Sequence, residues 1–359
     1  MSFNDLGRLP RLQQWMLLAA GGIGLGLAME VVHVPAALLL GPIVWSAFLG
    51  MRGLNIRIPR PGYNFGQAAA GALIALHLDP QILAKTVEIW PLVLLFVILT
   101  LLLACAVGLV ATRLTGLDSE VAVWGFMPGM AGTMIALAHE RGLDSRMVAF
   151  IQILRLLMVI AAMVAFGALL TGPAVPHDAA LQEQGLLALV TTLLVVGLGM
   201  VAGRWLPMIP AGASLIPIFV GGALCVSGVP IAVPHWLVTI AFFWLGSQTG
   251  LRFTPEMLRV GSKALPMLFL AGLLLLVLCG FSGALLSIVA GTDLMTSILA
   301  TVPGSIDSIA LISASTGSDM SFIMTLQTTR LFAVVLFGPY IARAMLHLAM
   351  RMRIRTGAG

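Results

Sequence analysis

Long apolar segments alternate with short polar connections along nearly the whole chain. Six of these segments occur before residue 173 and six occur after residue 184. A helix needs about 20 apolar residues to cross a bilayer, and several of the segments are shorter than that. The pattern predicts an all-α polytopic membrane protein. The segments lie near 14–32, 35–50, 63–78, 89–112, 119–138 and 146–172, then near 185–203, 211–227, 235–251, 264–290, 295–315 and 320–342.

The two sets of segments are related by a constant offset of 175 in the residue numbering. One offset that holds over most of the chain indicates internal duplication. We therefore predict two membrane repeats, 1–173 and 184–359, joined by a loop at 174–183. Prolines, glycines and acidic residues recur at this spacing: Pro42 with Pro217, Gly71 with Gly246, Gly116 with Gly291, Asp118 with Asp293, and Asp144 with Asp319.

A Pro-Gly pair interrupts the fifth apolar segment of each repeat, at Pro128 and Gly129 and again at Pro303 and Gly304. Proline removes a helical hydrogen bond, and glycine permits a sharp turn. Half-helices of about ten residues extend only about 15 Å, which is half the hydrocarbon depth. Each fifth segment is therefore predicted to be a re-entrant hairpin with its tip near the bilayer midplane. The alternative is a kinked helix that spans the membrane.

The distribution of basic residues favours the hairpin. Of the 19 Lys and Arg residues, Arg155 and Arg330 lie inside apolar segments, which leaves 17 (19 − 2) in the connections. If all twelve segments cross, ten of the 17 fall on one side and seven on the other. If the fifth segments are hairpins, 16 fall on one side and only Lys85 on the other. Because basic residues concentrate in cytoplasmic loops, we predict ten crossings, inverted repeats, cytoplasmic termini and an external 174–183 loop.

Composition narrows the class of function. The chain is 60% hydrophobic and 9% charged, with a mean hydropathy of +1.06, whereas soluble proteins carry roughly 25% charged residues. The net charge of +5 therefore fits cytoplasmic loops and does not indicate nucleic-acid binding. The sequence has no Walker motif, and its His and Cys residues lack metal-ligand spacing. Neither an ATP-driven pump nor a metal or other cofactor is expected.

Arg155 and Arg330 carry the strongest functional signal, because a charge inside the hydrocarbon region is costly and usually functional. Each lies about 15 Å along its helix from a cap predicted at Asp144 or Asp319. In inverted repeats the two helices enter from opposite sides. Both arginines are therefore predicted to lie near the midplane.

Two interpretations of these arginines remain open. Their guanidinium groups either bind an anionic solute or form a structural pair that backbone carbonyls or a neighbouring acid satisfy. Gln152 and Gln327 lie three residues earlier, on the same helix faces as the arginines. They are predicted either to orient a ligand or to hold helices together.

The second repeat has more polar residues near its Pro-Gly pair than the first. Asp307 lies where the first repeat has Gly132, and it is predicted to be either a counterion to an arginine or a coupling-ion group. Ser305, Ser308 and Thr329 complete the predicted substrate-binding set, although hydroxyls inside helices often bond only their own backbone. The sequence GSQTG (246–250) either lines a cavity or packs helices through small residues, and packing is favoured.

These motifs resemble those of the AbrB-duplication family of bacterial inner-membrane proteins, over nearly the whole chain. The resemblance implies an inner-membrane location. Members of that family are labelled ammonia monooxygenases, regulators or transporters. The family has two copies of a domain that ends in a Pro-Gly, an acidic residue after glycine and a Gln-x-x-Arg helix. Here these are Pro128–Gly129, Gly142, Asp144, Gln152 and Arg155, then Pro303–Gly304, Gly317, Asp319, Gln327 and Arg330.

Inverted repeats with broken elements and polar groups at the midplane are typical of secondary transporters. We therefore expect a non-enzymatic transporter of a small solute that works by alternating access. Two fixed cations against one embedded acid favour an anionic solute such as a carboxylate. The expected partners are this solute and the lipid bilayer, without nucleic acid, while a homo-oligomer and coupling to H⁺ or Na⁺ are left open. The alternative is a membrane-embedded regulatory or sensory protein that binds the solute without moving it, and metal-dependent oxidation is disfavoured.

Overall fold

The structure is a computed structural model that describes residues 6, 9–54, 56–79, 81, 84–85, 88–129, 131–170, 185–205 and 211–355. Within these ranges the chain is helical and contains no β-strand, which confirms the predicted all-α class. The predicted external loop at 174–183 lies outside the described residues.

The described helices follow the same order in both repeats, except that the helix Pro255–Gly261 of the second repeat has no described counterpart in the first. In the first repeat these are α1 (Arg11–Val31), α2 (Ala37–Met51), α3 (Arg60–Leu76), α4 (Trp90–Thr115), α5 (Ser119–Phe126), α6 (Ala131–Glu140) and α7 (Ser145–Leu170). In the second repeat they are α8 (Leu186–Trp205), α9 (Gly212–Val226), α10 (His235–Gly250), α11 (Pro255–Gly261), α12 (Leu265–Ala290), α13 (Leu294–Thr301), α14 (Ile306–Thr316) and α15 (Met320–Arg355).

The offset between the repeats extends to the backbone conformation. Helices α2 and α9, α4 and α12, and α5 and α13 begin and end at positions related by the offset. Ala36 and Ala211, which precede α2 and α9, both adopt the left-handed conformation, with φ of 55° and 53°. Residues other than glycine rarely adopt this conformation. The duplication therefore reproduces local geometry that a shared composition alone would not give.

Acidic residues fix the starts of several helices. The Asp118 carboxylate accepts hydrogen bonds from two backbone N–H groups at the start of α5, and Asp293 does so from the Thr296 N–H in α13. The Asp144 carboxylate accepts from the N–H groups of Arg146 and Met147. Side-chain acceptors satisfy N–H groups that have no partner within the helix. The predicted cap at Asp144 is thus present.

Several helices are long and apolar enough to cross a membrane. By length and composition these are α1, α4, α7, α8 and α12, and a sixth is present if the bent pair Met320–Val334 and Leu336–His347 counts as one span. Four other helices are shorter: α2 and α9 have 15 residues each, α10 has 16 and α3 has 17. The polytopic membrane class is supported, whereas the ten crossings stay a prediction.

The chain divides into two compact units, and each unit takes segments from both repeats. The first unit comprises Met1–Leu83, Val164–Pro255 and Asp307–Ser321, and the second comprises Ala84–Met163, Glu256–Ile306 and Phe322–Gly359. Helices α1 to α3 and α8 to α10 belong to the first unit. The sequence repeats 1–173 and 184–359 therefore do not coincide with the spatial units.

Helices in the first unit pack reciprocally between the repeats. Helix α3 packs against α9, and α10 packs against α2. Gly71 lies at the first crossing, where an added Cβ would be 3.0 Å from the Pro217 Cβ. Gly246 lies at the second, where an added Cβ would be 2.9 Å from the Pro42 Cβ. Small residues allow such close approach of helices, so the geometry supports a packing role for the GSQTG segment.

In the second unit, α4 packs against α12, and each of them also packs against the short helix that follows it, α5 or α13. Gly108 and Gly283 lie at these crossings and are related by the offset. An added Cβ on Gly108 would be 2.7 Å from the Val123 Cα, and one on Gly283 would be 2.8 Å from the Ile298 Cα. The two repeats therefore place the short helices α5 and α13 in the same way.

Candidate site at the broken helices

The Pro-Gly pairs interrupt their helices. Helix α5 ends at Phe126 and α6 begins at Ala131, while α13 ends at Thr301 and α14 begins at Ile306. Neither Gly129 nor Gly304 has a positive φ, so the breaks do not depend on a conformation that only glycine reaches easily. Gly129 instead allows a close contact, because an added Cβ would lie 3.0 Å from the Val334 Cγ1. The helix breaks agree with the prediction, and the re-entrant path stays a prediction.

Arg155 and Gln152 of α7 satisfy the carbonyl groups at the end of α5. The Arg155 Nη1 donates to the carbonyl oxygens of Phe126 and Met127 at 2.9 and 2.8 Å. The Gln152 Nε2 donates to those of Trp124 and Met127 at 2.9 and 3.0 Å, and its Oε1 accepts from the Arg155 Nη2 at 3.0 Å. The last carbonyls of a helix have no partner within it, and a positive charge there is favourable.

Arg330 and Gln327 of α15 make the equivalent contacts at the end of α13. The Arg330 Nη1 and Nη2 donate to the carbonyl oxygens of Val302 and Gly304, each at 2.9 Å, and Nη2 also donates to the Gln327 side chain. The Gln327 Nε2 donates to the carbonyl oxygens of Leu299 and Val302 at 2.7 and 3.3 Å. Leu299 and Val302 are the counterparts of Trp124 and Met127 under the repeat offset.

The two guanidinium groups lie in the second unit, close enough to act on each other electrostatically. Each arginine side chain is buried, with 6% of the residue exposed. Among the described residues neither has a carboxylate partner. Each makes three hydrogen bonds to residues that the structure describes, whereas a guanidinium group has about five N–H donors. The buried Arg155 Nε has no acceptor within the described ranges.

Asp307 lies in the first unit, in the first turn of α14. The Ser214 Oγ donates to the Asp307 Oδ1 at 3.4 Å, and a side-chain hydrogen bond joins Asp307 to Gln67. The Gln67 Nε2 also donates to the Tyr63 hydroxyl at 3.3 Å. These partners are uncharged, and both interpretations of Asp307, as a counterion and as a coupling-ion group, stay predictions.

The predicted site residues are divided between the two units. Arg155, Arg330, Gln152, Gln327, Ser305 and Thr329 belong to the second unit, whereas Asp307 and Ser308 belong to the first. Sequence reasoning missed Tyr63 and Gln67 of α3 and Ser214 of α9, because these helices are far apart in the sequence from Asp307 and the residues match no known motif. A comparison of each position with its counterpart in the other repeat is the signal that could have found them.

Other titratable groups in the described part of the chain are dispersed. No group of three or more His, Cys, Asp or Glu side chains there could hold a metal ion. His235 and Glu30 form a histidine–carboxylate pair, with 3.0 Å between the Nε2 and Oε1 atoms. The cysteines at 105 and 279 are buried and free, and Cys279 lies within electrostatic reach of Arg155 and Arg330.

Long apolar helices, two sequence repeats and buried arginines at the helix breaks define a polytopic helical membrane protein. The family described as "Transition state regulatory protein AbrB" matches residues 38–346. The chain therefore belongs to the AbrB family, in agreement with the resemblance of its motifs.

Two relatives match the chain over most of their length. "Putative regulator AbrB" of Escherichia coli (strain K12) is 36% identical over 338 residues, which cover 92% of this chain and 96% of that protein. YhjN of Bacillus subtilis (strain 168) is 23% identical over 354 residues, which cover 92% of this chain and 90% of that protein. No solved structure matches the chain.

Proposed function

We propose that this protein is a secondary transporter that carries a small anionic solute, such as a carboxylate, across the membrane by alternating access. The observation that carries the proposal is the pair of buried guanidinium groups in the second unit that lack carboxylate partners among the described residues. A buried charge is costly without a compensating charge. An anionic solute supplies that compensation when it is bound.

Hydrogen-bonding capacity supports the same role. The carbonyl and glutamine contacts hold each guanidinium group in place. Within the described part of the chain they leave N–H donors on both arginines, including the buried Arg155 Nε. A guanidinium group binds a carboxylate through two parallel hydrogen bonds. The proposed site therefore combines a structural role at each helix break with binding of an acceptor by the remaining donors.

The proposed membrane arrangement follows from the repeats and the charge distribution. We infer inverted repeats with five crossings each, a re-entrant hairpin at each helix break, and both termini in the cytoplasm of a bacterial cell. The broken helices and the bias of 16 basic residues to one support this arrangement. The protein is proposed to act without enzymatic chemistry, as a transporter in the inner membrane.

A second candidate is a membrane-embedded regulatory protein that binds the same solute without moving it. The printed name of the Escherichia coli relative, which calls that protein a regulator, favours this candidate. The two candidates share the binding site and differ only in transport.

The deciding experiment has two stages. Purified protein is first screened against small carboxylates and other metabolites for a rise in unfolding temperature, because a ligand that binds only the folded state stabilises it. Each ligand found is then offered in labelled form to proteoliposomes. A transporter accumulates or exchanges the ligand across the vesicle membrane, whereas binding without any uptake favours the regulatory protein.

Substitutions of Arg330 test the site itself. Arg330→Lys keeps the charge but loses the paired donors, so binding should weaken by about tenfold or more, the equivalent of one charge-assisted hydrogen bond. Arg330→Gln also removes the charge and should nearly abolish binding. Arg343→Gln is the matched control, because Arg343 is exposed on the same helix. Unchanged affinity in folded Arg330→Gln protein would contradict the proposed role.

A further inference from the structure

Four polar side chains from three helices come together in the first unit. They are Asp307 of α14, Tyr63 and Gln67 of α3, and Ser214 of α9, and we name them the Asp307 cluster. Gln67 and Ser214 are 8% and 1% exposed, and both are hydrogen-bonded to the Asp307 carboxyl group. The Tyr63 hydroxyl accepts a hydrogen bond from Gln67 and lies within electrostatic reach of Asp307.

The Asp307 cluster has an apolar counterpart in the other half of the duplication. The helices that carry the counterparts of Ser214, Gln67 and Tyr63 are α2 and α10, which pack together as α9 and α3 do. Because that packing forms with apolar side chains at the three counterpart positions, the helix crossing does not require the polar cluster. The counterparts under the repeat offset are Gly132 for Asp307, Leu39 for Ser214, Phe242 for Gln67 and Val238 for Tyr63.

We propose that the Asp307 cluster is a proton-binding site, and that a proton bound there accompanies the movement of solute. The first part concerns the cluster alone, and the second part rests on the transport function proposed above. Binding converts the Asp307 carboxylate and one proton, taken from water, into a neutral carboxylic acid. Release returns the proton to water and restores the charge.

The surroundings of Asp307 allow both the charged and the neutral form. Partial burial among uncharged partners disfavours a carboxylate. The donors of Ser214 and Gln67, together with the position of Asp307 in the first turn of α14, favour it. Outside the cluster, Arg252 is the described ionisable group that acts electrostatically on one of its members, Tyr63. A group that couples proton binding to transport must be able to adopt both forms.

The chemistry of the partners favours a proton over a metal cation. Hard metal cations bind through several oxygen atoms. In the Asp307 cluster, the Ser214 hydroxyl directs its hydrogen atom at the carboxylate, and the Gln67 amide is hydrogen-bonded to it. A carboxylate has about four lone-pair sites, so two such donors hold it in place and leave room for a proton, but they supply few ligands for an ion.

Infrared spectroscopy of the purified full-length protein, without solute, tests the first part. A carboxylic acid shielded from water absorbs at higher wavenumber than a hydrated one. Wild-type protein should show such a band in acidic buffer and lose it in alkaline buffer. The band should be absent from both Asp307→Asn and Asp307→Gly, and present in Glu88→Gln, which removes an exposed carboxyl group.

Two results would overturn the proton site. One is the same band, with the same dependence on pH, in the folded Asp307 variants. The other is loss of the band from wild-type protein when sodium is added at constant pH, which would assign the site to a metal cation. Asp307→Gly guards against misfolding of the asparagine variant, because the duplicated fold already has glycine at the counterpart position, Gly132.

Proteoliposomes with an imposed pH gradient test the second part. Uptake by wild-type protein and by Glu88→Gln should change when the gradient is imposed, whereas uptake by Asp307→Asn should not respond. An equal response of Asp307→Asn and wild type would overturn coupling at this site. If wild-type protein moves no solute, the proposed transport function is wrong, and so is the proposed coupling of transport to a proton. The infrared band still decides whether Asp307 binds a proton.

Discussion

At the scale of single residues, the duplication separates structural roles from functional ones. A glutamine–arginine pair occurs in each repeat and binds equivalent carbonyl groups. Trp124 and Met127 of the first repeat correspond to Leu299 and Val302 of the second. A contact that both repeats retain satisfies a need of the helix break itself. The Asp307 cluster occurs once, so the break does not need it. Departures from the repeat, such as the Asp307 cluster, therefore indicate residues with a role other than supporting the helix break.

The structural part of the glutamine contact is testable by Gln327→Leu. The substitution removes the donor to the buried carbonyl oxygens of Leu299 and Val302 and the acceptor for Arg330. Each buried group left unpaired costs about 1–3 kcal/mol, so thermal unfolding should occur at a clearly lower temperature. Gln152→Leu should behave alike. The control is Gln13→Leu, at an exposed position of α1; its free energy of unfolding should stay within about 0.5 kcal/mol of wild type. If Gln327→Leu is as stable as this control, Gln327 does not have the structural role.

Some residues of the candidate site could be found from the sequence and others could not. Arg155 and Arg330 stand out because a charge in an apolar segment needs a reason. Their carbonyl partners could not be predicted, because the groups freed by a helix break depend on which neighbouring helix reaches them. Tyr63, Gln67 and Ser214 are ordinary polar residues taken one at a time. Only their shared proximity to Asp307 makes them a site.

At the scale of helices, the apolar pattern predicted which elements exist but not how they pack. The segment predicted at 119–138 became α5 and α6, with the break at the Pro-Gly pair. The packing of α3 on α9 and of α10 on α2 had no sequence signal. In a membrane protein, faces that contact lipid and faces that contact other helices are both apolar, so periodicity does not identify the partner.

The helix crossings give a prediction with a close control. Gly246→Ala would place a methyl group 2.7 Å from the Leu39 carbonyl oxygen and 2.9 Å from the Pro42 Cβ. Such overpacking costs about 1–3 kcal/mol, and Gly71→Ala should cost a similar amount. Gly197→Ala adds the same methyl group to α8, where nothing lies within 4 Å. Because alanine favours helix by about 1 kcal/mol over glycine, Gly197→Ala should not be destabilised. If Gly246→Ala and Gly71→Ala unfold at the same temperature as Gly197→Ala or higher, the close packing at these glycines is contradicted.

At the scale of the whole molecule, the order of elements decides which side of the membrane each loop faces. The proposed hairpins in the fifth segments would place 139–146 in the cytoplasm and 173–184 outside. Arg141 lies beside Glu120, with 3.7 Å between the Nη1 and Oε2 atoms and side chains 24% and 40% exposed. Partly exposed charges of this kind are expected at a membrane surface.

Single cysteines test this topology, with Cys225→Ser as background because Cys105 and Cys279 are buried. His177→Cys, which lies outside the described residues, should react with an impermeant thiol reagent in intact cells. Arg141→Cys should react only after the cells are permeabilised. Reaction of both from outside would instead support twelve crossings.

The reciprocal packing of the first unit has a consequence for biosynthesis. When the ribosome has completed the first repeat, α2 and α3 have been made but their packing partners α10 and α9 have not. The first unit also includes Asp307–Ser321, so its helices can pack completely only when nearly the whole chain has been inserted. Until then the glycine-lined faces around Gly71 must be covered by lipid or by an insertion factor. Neither half expressed alone would contain a complete unit, and two separate halves would have to meet in the bilayer before either became stable.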